Sequence, residues 1–79
     1  MISWLKLPED VRPHLIMWYM EEQDAIGHSA TPDSSATLDV VENLDKVLNH
    51  FFTEARQLDI FDKIDFIVLS DHGMATYYP

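Results

Sequence analysis

An apolar stripe at helical spacing fixes the middle of this chain. Leu38, Val41, Leu44, Leu48, Phe51, Ala55 and Leu58 recur every three or four residues, and Val47 and Phe52 widen the stripe. Asp39, Glu42, Asn43, Lys46, Asn49, His50 and Glu54 fall on the other side. The spacing predicts one amphipathic helix over about residues 34–58. Glu42 and Lys46 add an i,i+4 pair worth about 0.2–0.5 kcal/mol. Thr31, Pro32, Asp33 and Ser34 read as its start: a hydroxyl cap, a proline suited to the first turn, and an early acid favoured by the helix dipole.

Two short apolar runs flank this helix. His14, Leu15, Ile16, Met17, Trp18, Tyr19 and Met20 form the first, and Phe66, Ile67, Val68 and Leu69 the core of the second. Unbroken apolar runs of this length read as strands buried on both faces, at about residues 14–20 and 64–70. Strand, helix, strand gives an α/β expectation: a βαβ unit with parallel strands and a right-handed crossover. Pro8 and Pro13 bracket a loop or short helical turn before it. The stretch 21–28 reads as a mostly polar loop. Parallel strands send their C-terminal loops to one edge, where open α/β sheets hold their ligands. Asp24 and His28 on the first loop, with Asp71 and His72 on the second, would then share that edge. A carboxylate and an imidazole suit zinc and similar divalent ions, and neighbouring metals at about 3.5–4 Å would fit across it. Gly73 would let the backbone turn sharply after them.

Composition limits the alternatives. At 79 residues the chain makes one small domain at most, and 47% hydrophobic residues argue against a disordered tail. Without cysteine there is neither a disulfide framework nor a thiolate zinc site. A formal charge of −9 excludes a nucleic-acid groove or an attraction to anionic membrane. It still permits phosphorylated substrates if bound cations supply positive charge. The opening residues form no apolar export segment, and the longest purely apolar run, 15–20, is far short of a membrane span.

The two loops also carry a resemblance. Tyr19-Met20-Glu21-Glu22-Gln23-Asp24-Ala25-Ile26-Gly27-His28, followed by Ser70-Asp71-His72-Gly73-Met74, resembles the ectonucleotide pyrophosphatase/phosphodiesterase family of the alkaline phosphatase superfamily. The likeness covers nearly the whole chain. It implies that residues 1–79 are an internal fragment of the catalytic domain, part of a three-layer αβα fold. It implies two zinc ions, one held by Asp24 and His28 and the other by Asp71 and His72. The reaction implied is hydrolysis of a phosphodiester or pyrophosphate bond, in a nucleotide or another phosphodiester substrate. The nucleophile implied is a threonine upstream, giving a covalent intermediate that water then hydrolyses. Thr31, Thr37, Thr53 and Thr76 stand in the wrong contexts for that role, so no catalytic residue is expected within the chain itself. An extracellular or membrane-anchored setting is implied as well.

The sequence departs from the family pattern at two places. Gln23 stands where proline is common before the first aspartate, and Thr31 where glycine is common before the following proline. Both changes bear on loop stiffness more than on ligand chemistry. His14 and His50 read as structural, Glu21 and Glu22 as loop carboxylates, and Trp18, Tyr19, Phe51 and Phe52 as core. A competing reading, from composition alone, is a small acidic interaction module with incidental or structural metal-binding residues.

Overall fold

The expected central helix forms. A computed structural model describes residues 1–78, and its longest element is α3, Ser35–Ala55, with α1 at Ile2–Leu5, α2 at Glu22–Ala30 and a 3-10 turn at Phe61–Lys63. Ser34 caps α3, its Oγ accepting the Thr37 amide at 3.2 Å. That satisfies one of the four amides a helix start leaves unpaired. Thr37 Oγ1 reaches back to donate to the Thr31 carbonyl at 2.7 Å. The helix ends at Ala55, earlier than the stripe predicts, because the next amides turn tighter. Gln57 N donates to Glu54 O at 3.2 Å and Leu58 N to Ala55 O at 3.0 Å. Leu58 still packs on the apolar side from this turn.

The α/β expectation is overturned. Among the described residues the elements are all helical, and no strand forms. Backbone hydrogen bonds outside the helices reach no further than four residues along the chain, so none joins 14–20 to 64–70. There is thus no βαβ unit with parallel strands, and no sheet layer of an αβα domain. A helix satisfies its amides within its own segment, whereas a strand needs a neighbour in register. The two apolar runs lie instead as separate segments along α3.

What core there is sits where these segments meet α1 and the end of α3. Leu5, Phe51 and Ala55 are buried, and Met1, Ile2, Ile16, Phe52, Leu58, Ile60, Phe61 and Ile64 pack around them. Phe66 stacks edge-on against Phe52 with ring centroids 5.0 Å apart, and Trp18 meets Phe51 at 5.6 Å. Only part of each run is covered: Met17 is 87% and Ile67 82% exposed. The molecule is long and thin, 54 × 20 × 17 Å, with a radius of gyration of 16.3 Å. A compact domain of this length would have about 12 Å. No helix among the described residues is long and apolar enough to cross a membrane.

The stretch 21–28 is helix rather than loop. Glu22 and Asp24 stand in the first turn of α2 and His28 in the last, an order the helix dipole favours. Gln23 Nε2 donates to the Met20 carbonyl at 2.8 Å, tying the entry to the preceding segment. The helix stops at Thr31, which has φ 72° and ψ 150°. That backbone region belongs almost solely to glycine, and holding another residue there costs about 1–3 kcal/mol. The Thr31 carbonyl accepts from Ser34 N, Ser34 Oγ and Thr37 Oγ1, which keeps the residue in place. Thr31→Gly is therefore expected to tighten the junction of α2 and α3 by about 1 kcal/mol or more. Slower amide exchange across Ser34, Ser35 and Thr37 would register this; unchanged or faster exchange would count against the strain.

Candidate metal centre

Asp24 and His28 stand four residues apart on α2, so both side chains share one face of the helix. His28 Nε2 lies 3.5 Å from Asp24 Oδ2. The second motif comes to the same face. His72 Nε2 lies 3.6 Å from Asp24 Oδ1 and 3.8 Å from Asp71 Oδ2. The four groups thus run His28, Asp24, His72, Asp71, with the Asp24 carboxylate presenting one oxygen to each imidazole. They meet without any sheet. The segment carrying Asp71 and His72 lies directly on α2, with Met74 against Gly27 and Thr76 Oγ1 donating to Asp33 Oδ2 at 3.3 Å.

Local bonds orient the second pair. His72 N donates to Asp71 Oδ1 at 3.0 Å, and Ser70 Oγ donates to the His72 carbonyl. His72 Nδ1 lies 2.8 Å from the Gly73 carbonyl, which can only accept, so Nδ1 carries the proton. In the neutral ring Nε2, the nitrogen facing Asp24, is then left with its lone pair. A ring fixed by such a backbone bond is the usual arrangement of a metal-ligating histidine.

The charge balance is negative. Asp71 foremost, then desolvation, Asp24 and Glu21, push the Tyr19 hydroxyl above its ordinary value of 10.0. His72 is raised above 6.5, first by its bond to Gly73, then by Asp71 and Asp24, with burial opposing. A group raised on folding stabilises the fold below its unfolded value, and that contribution fades as pH rises through the folded one.

Carboxylate and imidazole are donor types that zinc takes. Asp24 Oδ1 is buried and has no hydrogen-bond partner, which is costly for a carboxylate oxygen unless a cation meets it. Two ligands about 2.0–2.1 Å from a tetrahedral ion stand roughly 3.3–3.4 Å apart. Both Asp24-to-imidazole distances, 3.5 and 3.6 Å, are close to that edge. The arrangement is open: among the described residues no three acidic or imidazole groups are gathered around a single point. Three of the four threonine hydroxyls are engaged elsewhere, Thr37 with Thr31 O, Thr53 with Asn49 O and Thr76 with Asp33.

The sequence model of the family described as type I phosphodiesterase/nucleotide pyrophosphatase matches residues 1–78. The chain belongs to that family. Among curated proteins, this phosphodiesterase-family chain is 36% identical over 73 residues to human ectonucleotide pyrophosphatase/phosphodiesterase family member 1, covering 92% of the chain and 8% of the relative. It is 34% identical over 74 residues to an uncharacterized pyrophosphatase/phosphodiesterase of Schizosaccharomyces pombe, covering 94% of the chain and 15% of the relative. Mouse family member 3 is 32% identical over 74 residues, 94% of the chain and 8% of the relative. The chain therefore spans under a sixth of these relatives. No solved structure matches it.

Two elements of the centre escape a reading of motifs alone. Gly27 lies three residues after Asp24 on the same helix face, and its role emerges only with α2 recognised as a helix. Met74 follows the Asp-His-Gly turn, and its thioether is not among the ligands zinc takes, so spacing gives no reason to single it out.

Proposed function

We propose that this chain supplies part of the two-zinc edge of a phosphodiesterase or nucleotide pyrophosphatase active site. Asp24 and His28 would hold one ion, and Asp71 and His72 its neighbour. The observation that carries this is the Asp24 carboxylate, with Oδ1 buried, unpartnered and turned toward His72 while Oδ2 faces His28. Bound there, the ions would supply Lewis-acid polarisation and electrostatic stabilisation of a phosphoryl group. The chain's own residues do the positioning. The Gly73 carbonyl sets the His72 tautomer, the α2 face spaces Asp24 from His28, and Asp71 holds the His72 amide.

The substrate class this reading supports is a nucleotide or another phosphodiester, cleaved with a threonine nucleophile that lies outside these residues. Relatives bearing ecto- in their names favour an extracellular or membrane-associated setting. Zinc titration by calorimetry tests the metal reading, with saturable binding expected and its absence counting against it. Zinc uptake should weaken as pH falls through the raised His72 value, because the proton and the ion compete for Nε2. Affinity independent of pH between about 5 and 8, the histidine range, would contradict that ligand assignment. The chain by itself is expected to be inert toward a generic aryl phosphodiester with zinc added. Turnover that vanished on Asp71→Asn would overturn this.

A further inference from the structure

We propose that Met74 is a positioning residue, seated on Gly27, that holds the Asp71 and His72 pair against the pair on α2. This rests on the zinc reading above. Among the described residues past Ile64 there is no backbone hydrogen bond to the rest of the molecule, so residues 70–76 have no ladder or helix to place them. Side-chain contacts must do it. Thr76 ties the far end to Asp33 at 3.3 Å. Nearer the ligands, a Cβ built on Gly27 would fall 2.5 Å from Met74 Sδ and 3.3 Å from its Cε, so the thioether occupies the space a side chain would need. Gly27 has ordinary negative φ, and it is the one buried residue of α2. Close approach, rather than backbone freedom, is what its missing side chain provides. Gly27 lies between Asp24 and His28 on their helix face, and Met74 lies two residues beyond His72. The seat therefore fixes how near the second pair comes to the first.

The test uses the full chain and four variants: Gly27→Ala, Met74→Ala, the double variant, and Met74→Leu. Alanine is a better helix former than glycine, so a purely helical role predicts that Gly27→Ala keeps or improves both helicity and zinc binding. The seat predicts helicity kept while zinc affinity falls about tenfold, the lower end for an outer-shell partner. Met74→Ala should fall similarly. Met74→Leu should stay near the parent, and the double variant should recover part of the loss, since the new methyl fills space the thioether vacated. Parent-like zinc affinity in both Gly27→Ala and Met74→Ala would overturn the proposal. If the parent binds no zinc, the zinc reading fails, and the seat is judged in the metal-free chain. There, nuclear Overhauser contacts between His72 Hε1 and the Asp24 Hβ protons, present in the parent and lost in Met74→Ala, support it. Their persistence in that variant overturns it.

Discussion

Asp24→Ala is expected to remove zinc binding at His28 and to weaken it at His72. Among the described residues the Asp24 carboxylate is the one acidic group within 4 Å of both His28 and His72, at 3.5 and 3.6 Å. Its loss leaves His28 without the carboxylate beside it and His72 with Asp71 alone. Weakening should exceed about 100-fold, the upper end for partners that only orient a ligand. His28→Ala should cost less, because His72 keeps Asp24 and Asp71 beside it. Asp24→Asn separates charge from shape: the amide retains the size but not the anionic oxygen, so affinity should remain low. Calorimetry on the three variants gives the order directly. If His28→Ala proved as damaging as Asp24→Ala, the shared-carboxylate arrangement would be wrong. Circular dichroism must accompany it, since removing a buried oxygen that lacks a partner relieves a folding cost.

The second large effect concerns folding. Among the described residues only three hydrophobic ones are buried, Leu5, Phe51 and Ala55, while Leu15, Met17, Ile67 and Leu69 are each more than three-quarters exposed. Ordering one backbone residue costs about 1–2 kcal/mol, which so small a core does not offset over 78 residues. The isolated chain should therefore lose its 222 nm ellipticity gradually on heating, without a cooperative transition. Its exposed apolar runs should also drive association above micromolar concentrations. A monomer in sedimentation that melts sharply above about 50 °C, as intact small domains do, would contradict this. Ile67→Lys with Leu69→Lys should suppress association and leave helicity unchanged, because neither side chain packs on α3 in quantity. Zinc should raise the helical signal, since a ligand that binds only the folded form stabilises it by about 2.7 kcal/mol at 100 times its Kd.

The residues of the proposed centre were visible in the sequence. Asp24, His28, Asp71 and His72 stand out by residue type and by two motifs in a fixed order, and family membership follows from the same stretches. Their gathering into one place was expected for a reason that does not hold. Parallel strands were to bring both loops to a common sheet edge, yet the pairs meet because Met74 and Thr76 lay the second motif on α2. Gly27 and Met74 carry no charge, no usual zinc ligand and no periodic pattern, so nothing in the sequence marks their contact.

By itself the sequence determined α3. Its stripe, the Ser34 cap and its polar face are relations among residues three or four apart, and a helix makes its hydrogen bonds over that same range. Tertiary structure alone decided the rest. Whether 14–20 and 66–69 become strands depends on a partner in register, which an apolar run cannot specify from its own composition. Here neither run has one, and most of the side chains in both are exposed. The stretch 21–28 looked like a loop because its residues are mostly polar. It became α2 because Gly27 is covered by Met74 and its acids and histidine match the helix dipole. Even Thr31 follows this division: its identity is plain in the sequence, but that it must adopt a glycine-like φ of 72° is imposed by the turn between α2 and α3. Local relations are written along the chain, whereas contacts between distant segments exist only once both have been placed.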